Sequence, residues 1–467
     1  MTSRRGFLAG GAAALIAGAA PRALRARNDS DVIVIGAGLA GLAAARLLEQ
    51  AGASVTIIEA ERRVGGRLHT LRQLPGAPEA GGIQVGGGYR ILRRIAAELE
   101  VGLDDGPGAG AGIAQRPGDF YYINGVGSTS EAWPTSAANR LPPPLAAIEP
   151  ARLASTFYRH LPQWDDPSSW LDAPGESDIS VATVLRQHGA DPETLRLIEA
   201  NLNGNSLAGM SQLHLARTLS IYRSQPGAVS TIVGGSQALP EAMATALSSA
   251  PRLGVLVEAI EESRDGVTIR TDAGVLRAPH AVCTIPFAAL RSIPIASVLP
   301  NGMARMIAGL PYTRASFAYI QASSPFWRDD GLPETLWTDD PLIGRAFVLG
   351  DDPAMLKLWT TGAGADMLDR LPEAEARRAI VERFEAMRPA AGGQLEEVNL
   401  FSWQKSPFAR GIYHHIGTGM AASLAAATRH EGCRLHFAGE HLAQRSSGME
   451  AALESGERTA RLVATRL

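Results

Sequence analysis

The stretch DVIVIGAGLAGLAAARLLEQAGASVTIIE, residues 31–59, decides the fold. Residues 31–35 form an apolar, β-branched run that is typical of a buried parallel strand. Residues 39–50 follow with an Ala- and Leu-rich helical pattern, and residues 54–58 are a second β-branched run. This order predicts a strand–helix–strand unit at the start of a parallel sheet.

Three glycines between the first strand and the helix indicate what this unit binds. Gly36, Gly38 and Gly41 have the spacing G-x-G-x-x-G. The first glycine allows a tight turn, the second lets the backbone approach a pyrophosphate, and the third lets the helix pack closely on the strand. Glu59, which lies 18 residues after Gly41, would accept a hydrogen bond from a ribose hydroxyl. The unit therefore predicts a dinucleotide site at the positive end of a helix.

A second glycine motif follows directly. Residues 63–70, RVGGRLHT, resemble the second dinucleotide motif of the flavin amine oxidase family, which includes monoamine, polyamine and L-amino-acid oxidases. The resemblance implies that Gly65 and Gly66 let the backbone approach FAD, and that Arg63 and Arg67 lie near its phosphates.

The C-terminal segment carries a third motif. A short apolar strand at 435–438 is followed by Gly439-Glu440, and residues 446–460 read SSGMEAALESGERTA, which closely resembles the end of the same family's chains. The resemblance implies that Glu440 bonds the flavin ribityl chain. It also implies that the helix beginning near Met449 points its N–H groups at flavin N1 and O2, where they would stabilise negative charge.

The resemblance extends from residue 31 to residue 467 and implies an α/β fold, α+β overall, like that of monoamine oxidase. A Rossmann-like FAD-binding domain would be interleaved with a substrate-binding domain of mixed sheet plus helices. Val257 would hold the adenine through its backbone. The FAD-binding domain is assigned to residues 31–103, 228–290 and 405–467, and the substrate-binding domain to residues 104–227 and 291–404.

Several positions near the implied flavin depart from the family pattern. Trp403 and Tyr413 are ten residues apart, as are the matching Trp and cage Tyr of monoamine oxidases. The second cage Tyr aligns with Gly448, which implies a pocket open on one side. Ile412 stands where those enzymes carry the cysteine bound covalently to FAD, so the resemblance implies non-covalent FAD.

Phe317 raises the question of where the electrons go. Many family members carry a lysine eight residues before a Pro-Phe-Trp turn, held by a water against flavin N5, and Phe317, or Ser316 with a slip of one, stands there. A positive charge beside the flavin would speed the reaction with O₂. Its loss favours a slow oxidase that uses a periplasmic acceptor, such as cytochrome c or a quinone, in preference to O₂.

The implied reaction is enzymatic hydride transfer from the carbon next to an amine nitrogen to flavin N5, giving an imine that hydrolyses. L-Amino-acid oxidases place an Arg where this chain has Gln84, which favours an amine without a carboxylate. An L-amino-acid oxidase with a displaced Arg remains an alternative, supported if Arg90 or Arg223 faced the flavin. The others are a lipid or isoprenoid desaturase with a long apolar tunnel and a carrier or chaperone without FAD. Asn203 and its neighbours are predicted to be turn or cap residues in preference to pocket residues.

The N-terminal residues predict export. Arg4-Arg5 precede a small, apolar run at 9–20 that is too short for a bilayer, which needs about 20 residues. Residues 17–19 match an A-x-A cleavage site. Residues 1–27 are therefore predicted to be a Tat signal peptide that directs the folded protein to the periplasm, with an uncleaved anchor as the lesser alternative.

The composition excludes other classes of protein. The formal net charge of −3 argues against nucleic-acid binding. Cys283 and Cys433 are the two cysteines, too few for a metal cluster, so no metal is predicted. No membrane span is predicted after the N-terminal run, and nothing in the sequence selects an oligomeric state. Arginine is the usual basic residue, since Lys357 and Lys405 are the chain's two lysines.

Overall fold

The computed structural model describes residues 29–106 and 118–467. The predicted signal peptide lies outside these residues. They form a five-stranded parallel sheet, a seven-stranded mixed sheet and two smaller sheets. No helix in this part of the chain has the length and apolar character that crossing a bilayer requires.

The strands belong to these four sheets. In chain order they are β1 (Val32–Ile35), β2 (Val55–Glu59), β3 (Leu103–Asp104), β4 (Phe120–Ile123), β5 (Val126–Thr129), β6 (Thr231–Ile232), β7 (Arg252–Leu253), β8 (Val257–Glu262), β9 (Val267–Thr271), β10 (Gly274–Ala278), β11 (His280–Cys283), β12 (Ile295–Ala296), β13 (Ala315–Ala322), β14 (Leu336–Thr338), β15 (Arg345–Asp351), β16 (Ala354–Thr361), β17 (Leu395–Ser402) and β18 (Leu435–Phe437).

The helices connect and cover the sheets. In chain order they are α1 (Leu39–Gln50), α2 (Arg90–Glu98), α3 (Val181–Gln187), α4 (Pro192–Ala200), α5 (Gln212–Ser224), α6 (Ala238–Thr245), α7 (Phe287–Leu290), α8 (Asn301–Gly309), α9 (Gly362–Arg370), α10 (Glu373–Met387), α11 (Ala421–Arg429) and α12 (Gly448–Ala464).

The parallel sheet is built around β1. Its order is β18-β11-β1-β2-β7, with every pairing parallel. All four residues of β1 are buried. Val32 and Val34 pack in the cluster under α1, whereas Ile33 and Ile35 pack against the β8–β10 meander. A strand that is covered on both faces needs apolar residues on both, which explains the continuous apolar run of β1. The sheet and its covering helices confirm the predicted α/β fold.

Helices α1 and α12 pack against each other through glycine. A Cβ added to Gly456 of α12 would lie 2.3 Å from the carbonyl oxygen of Ala40 in α1. A Cβ added to Gly41 would lie 1.9 Å from the carbonyl oxygen of Gly36. Neither distance leaves room for a methyl group, so glycine sets how closely α1 approaches both the first strand and α12.

The mixed sheet has the order β17-β13-β16-β15-β14-β4-β5, and its strands come from the two segments predicted for the substrate-binding domain. The strands of the parallel sheet come from the three segments predicted for the FAD-binding domain. One detail differs from the predicted boundary at residue 290. Strand β12 pairs with β8, and α8 packs on α11, so residues 295–309 pack with the segments that were predicted to form the FAD-binding domain.

Candidate active site

A cavity of about 1150 Å³ lies between the parallel sheet and the mixed sheet. Residues at the carboxyl ends of four parallel strands line it, which is where open α/β sheets bind ligands. These residues are Ile35 and Gly36 at the end of β1, Ile58 and Glu59 at the end of β2, Thr284 after β11, and Gly439 and Glu440 after β18.

The two predicted glycine loops touch each other. Gly65 donates its N–H to the carbonyl oxygen of Ala37 at 2.9 Å. A Cβ added to Gly66 would lie 3.5 Å from the Cα of Gly38. The N-cap of α1 is Gly38, which has no capping side chain, so the first N–H groups of the helix face the cavity without a side-chain acceptor. This end of the cavity suits a phosphate group.

Glu59 lines the same end of the cavity and fixes the turn. One of its carboxylate oxygens accepts the N–H of Ala37 at 2.7 Å, and the other accepts the N–H of Glu61 at 2.8 Å. The carboxylate therefore sits beside the first glycine loop, where the sequence predicted a ribose ligand. Val257, predicted to hold the adenine through its backbone, also lines the cavity.

The two arginines of the second motif have different surroundings. The Arg63 guanidinium donates to the carbonyl oxygens of Gly66 at 2.7 Å and Leu68 at 3.0 Å, and pairs with Glu61 at 2.7 Å. It is not among the residues that line the cavity. Its guanidinium stabilises the glycine loop and does not face the cavity, because it donates its hydrogen bonds to carbonyl groups of that loop. Arg67 does line the cavity.

Glu440 lies at the centre of a buried ionic cluster. It accepts from His414 Nδ1 at 2.7 Å and pairs with Arg67 at 3.2 Å. Burial opposes ionisation, but the charges of His414 and Arg67 outweigh it and keep the pKa of Glu440 well below its usual range. Glu440 is therefore an ionised hydrogen-bond acceptor on the cavity wall.

Helix α12 also begins at the cavity. Its N-cap, Ser447, makes no side-chain capping bond, and Gly448 and Met449 line the cavity. The Tyr89 hydroxyl lies 2.8 Å from the position that a Cβ on Gly448 would occupy. The side of the pocket predicted to be open next to Gly448 is thus filled by Tyr89, whose ring enters from a distant part of the sequence.

The predicted aromatic residues line the cavity in different ways. Trp403 is buried and donates its indole N–H to the carbonyl oxygen of Ala80 at 2.6 Å, which fixes the ring as a wall. Tyr413 lies on the cavity side, and burial raises the pKa of its hydroxyl to about 12. Ile412, beside it, presents an aliphatic side chain to the cavity.

One face of the mixed sheet, at β15 and β16, forms a wall of the cavity. We call it the chamber wall, and the part of the cavity beside it the chamber. Arg345 and Phe347 of β15 pair with Trp359 and Lys357 of β16, so the four side chains share one face. All four line the cavity, as does Leu349. This wall combines aromatic rings with two buried cations.

Phe317 is not on this wall. Its side chain is 1% exposed and does not line the cavity, but it lies beside the wall on the same face of the sheet, because Phe317 pairs with Trp359 across β13 and β16. The Lys357 Nζ lies 4.3 Å from the centre of the Phe317 ring. The inference from Phe317 that the site lacks a lysine is therefore wrong, because the neighbouring strand supplies one.

Lys357 is held in an unusual environment. Its ammonium donates to the carbonyl oxygen of Glu79 at 2.8 Å, and the rings of Tyr319 and Trp359 lie within 5.4 Å. Burial lowers the pKa of Lys357 to about 7. The sequence did carry a signal for it, a lysine inside the apolar run 354–361 of a chain that otherwise uses arginine.

Other predicted residues divide between the cavity and the scaffold. Gln84 lines the cavity, whereas Arg90 and Arg223 do not. Asn203, predicted as a turn or cap residue, lines the cavity and accepts a hydrogen bond from Arg345. Cys283 is buried in β11, where burial raises the pKa of its thiol to about 12. In the described part of the chain no cluster of His, Cys, Asp or Glu is arranged to hold a metal.

The fold and the cavity together are those of a dinucleotide-binding protein whose cavity is also lined by one face of the mixed sheet. A model of the "Flavin containing amine oxidoreductase" family matches residues 39–464. The chain belongs to the flavin-containing amine oxidoreductase family and is an FAD-dependent amine oxidoreductase.

Three proteins illustrate the similarity. An L-amino-acid oxidase of Siganus canaliculatus is 26% identical over 93% of this chain and 85% of its own. Flavin-containing amine oxidase B of Homo sapiens is 26% identical over 93% of this chain and 86% of its own. The structure of cyclohexylamine oxidase from Brevibacterium oxydans superimposes with a TM-score of 0.74 at 25% identity, over 94% of this chain and 99% of that one.

The residues of the cavity fit FAD. Two helix N-termini without capping side chains lie on one cavity, and each suits a negatively charged part of the cofactor. The glycine loops leave a cradle that side chains would fill. Glu59 and Glu440 provide buried carboxylate acceptors for hydroxyl groups.

Replacing Glu59 tests the adenosine end of this cradle. Glu59→Ala should weaken FAD binding by about 1–3 kcal/mol, roughly 5- to 150-fold in Kd, because a ribose hydroxyl and the Ala37 N–H both lose their acceptor. Fluorescence titration of the FAD-free protein measures this Kd. Glu59→Gln keeps one acceptor oxygen, so its Kd for FAD should lie between those of the wild type and the alanine variant. An unchanged Kd in the alanine variant would show that Glu59 does not bind the cofactor.

Proposed function

We propose that this protein oxidises a primary amine at the carbon that bears the nitrogen, with FAD bound in the cradle and the amine in the chamber beside it. The observation that supports this best is the continuity of the cavity. Gly38 and Glu59 of the predicted FAD-binding domain line the same cavity as Tyr413 and Lys357. The names of the similar proteins, which include amine and amino-acid oxidases, point to the same reaction.

When bound, FAD supplies a two-electron acceptor for the hydride of the substrate carbon, and the resulting imine is hydrolysed by water to a carbonyl compound and ammonia. The chain's own residues prepare this step. Trp359, Trp403 and Tyr413 form an apolar aromatic wall, which favours the neutral amine by desolvating its ammonium form. The N-terminus of α12 offers N–H groups where negative charge develops.

A desaturase of lipids is less well supported. A long apolar substrate requires an apolar tunnel, whereas the chamber wall carries Arg345 and Lys357, both buried. Burying charged groups against a hydrocarbon chain would be costly. A carrier without FAD would have no use for the glycine cradle or for the ionised Glu440.

Anaerobic mixing of the purified yellow protein with a panel of amines and amino acids tests the proposed function. At least one member of the panel should bleach the flavin absorbance, with one equivalent of carbonyl product per flavin reduced. A protein that binds FAD but whose flavin stays oxidised with every amine would not be an amine oxidoreductase.

We also infer that FAD is held without a covalent bond, since Ile412 offers no thiol. Acid precipitation should leave all the flavin in the supernatant. Yellow colour in the pellet would reveal a covalent link elsewhere.

Export of the folded protein is proposed from residues 1–27. Arg4-Arg5 and the short apolar run support a Tat route to the periplasm, and loading of FAD in the cytoplasm before export would suit that route. Subcellular fractionation that found all of the protein in the cytoplasm would oppose it.

O₂ is the electron acceptor that we propose. The expectation of a slow oxygen reaction was based on Phe317, and Lys357 now places an ammonium beside that ring. A cation at the chamber wall stabilises the superoxide-like charge that forms when O₂ takes the first electron. A periplasmic cytochrome c or quinone is the alternative acceptor.

Lys357→Met should slow reoxidation by O₂ by about 10²–10³. The lysine is protonated below its pKa of about 7 and neutral above it. The wild-type rate should therefore fall as pH rises through about 7, whereas the variant should show no change in that range. Stopped-flow mixing of the reduced enzyme with O₂ measures both.

Lys405→Met is the matched control, since Lys405 is the other lysine and is 60% exposed on the surface. It should leave the oxygen reaction unchanged. The Glu79 carbonyl keeps a donor in the Lys357 variant, because the Tyr319 hydroxyl also bonds it at 2.7 Å. Slow reoxidation of the wild type, together with fast electron transfer to added cytochrome c, would assign the periplasmic acceptor.

A further inference from the structure

Arg345 is a buried cation on the chamber wall without an anionic partner. Arg345 is the first residue of β15 and is 7% exposed. Trp337 and Trp359 pair with it on the two neighbouring strands, and its guanidinium carbon lies 5.0 Å and 5.5 Å from the centres of their rings. No carboxylate in the described part of the chain forms an ion pair with it.

The acidic residues of the cavity lie elsewhere. Glu59 and Glu61 follow β2, Glu258 lies in β8, and Glu440 follows β18, so all four belong to the FAD-binding side. Among the described residues that line the chamber wall on the mixed sheet, the charged groups are Arg345 and Lys357. The chamber wall is thus cationic, which does not suit a substrate that carries only an ammonium group.

The guanidinium is partly but not fully satisfied. One of its Nη2 hydrogens is donated to the side-chain oxygen of Asn203, which anchors one corner of the group. A guanidinium has five N–H donors in a planar fork. The two tryptophans stack on it without accepting these hydrogens in the plane, so donors remain available where the residue lines the cavity.

Arg345 stays charged at neutral pH. Burial lowers the pKa of its guanidinium to about 10, still far above 7. A buried charge without a counter-ion destabilises the fold, and an anion bound against it removes that cost. A carboxylate matches the fork with two parallel hydrogen bonds.

We propose that Arg345 binds the carboxylate of the substrate, so that the amine oxidised in this chamber is an amino acid. The anion site itself depends only on the chamber wall, whereas the oxidation of its ligand rests on the proposed function. Phe347 and Leu349, which lie next along the same face of β15, and Phe408 surround the chamber with apolar surface. The bound amino acid therefore carries an apolar or aromatic side chain.

Arg345 lies in a different part of the sequence from Gln84, the position where L-amino-acid oxidases carry an arginine. The sequence favoured an amine without a carboxylate because Gln84 replaces a family arginine in the first segment of the chain. Gln84 lines the cavity, but Arg345 reaches it from the mixed sheet, more than two hundred residues later. The carboxylate would therefore bind to the wall formed by β15 and not to the loop that carries Gln84.

A binding experiment without turnover tests the anion site. Isothermal titration of the FAD-loaded protein compares 3-phenylpropionate with 3-phenylpropionamide, two ligands of equal shape of which only the first is charged. The carboxylate should bind at least 30-fold more tightly than the amide. Arg345→Met should abolish this preference and leave the weak binding of the amide unchanged.

Two further variants separate charge from geometry. Arg345→Lys, which keeps the charge but loses the fork, should retain part of the preference. Arg378→Met removes an exposed arginine of α10, with a side chain 67% exposed, and should behave as wild type. The comparison of the two ligands on the wild-type protein needs no variant, so it decides the matter even if Arg345→Met does not fold.

A second experiment uses the matched reactants L-phenylalanine and 2-phenylethylamine, which differ only in the carboxylate. Anaerobic flavin reduction should be at least 100-fold more efficient, in rate constant over dissociation constant, with the amino acid. Arg345→Met should lose most of this ratio.

The outcomes distinguish the two proposals. Equal binding of carboxylate and amide, or a preference that survives in Arg345→Met, overturns the anion site. Faster reduction by the simple amine, with the ratio unchanged in the variant, overturns it too and leaves amine oxidation intact. Tight, Arg345-dependent carboxylate binding with no flavin reduction by any amino acid or amine supports the anion site and refutes the proposed function.

Discussion

The glycine contact between α1 and α12 is the constraint on which the site depends. Gly456 of α12 lies against the Ala40 carbonyl of α1, at a distance that only a residue without a side chain allows. The contact positions two helices from opposite ends of the sequence so that their uncapped N-termini face one cavity. The positive ends of the two helix dipoles suit the pyrophosphate and the reduced ring of one extended cofactor.

The charges of the cavity are divided between its two halves. Carboxylates at the ends of β2 and β18 line the FAD-binding side as acceptors that suit hydroxyl groups, and Glu440 stays ionised because His414 and Arg67 face it. The mixed sheet contributes the cations Arg345 and Lys357, each surrounded by aromatic rings. The stacked rings leave the in-plane donors of Arg345 free, which is why this half suits an anionic group on the substrate.

The cofactor half could be predicted from the sequence because its signals are local. Gly36, Gly38 and Gly41 act within one turn, Glu59 ends a strand and Glu440 lies three residues after one, so short motifs place them. Arg63 shows the limit of this reasoning. Its motif was recognised, but its guanidinium bonds the carbonyls of its own loop, and no local pattern distinguishes the two orientations.

The chamber could not be predicted because strand register and long-range packing build it. Lys357 reaches Phe317 only through the pairing of β16 with β13, and Arg345 joins them through the register of β15. Tyr89 approaches Gly448 from more than three hundred residues away. The sequence shows that these residues are cations or a tyrosine, but which residues surround them depends on how the strands pair in the folded sheet.

The most direct test is a crystal structure of the FAD-bound protein. FAD should extend along the whole cavity, with its pyrophosphate at the N-terminus of α1, its ribityl chain at Glu440 and its ring between the N-terminus of α12 and the wall of Arg345 and Lys357. A flavin ring directed away from that wall would contradict this arrangement, since the chamber would then have no reacting atom to serve.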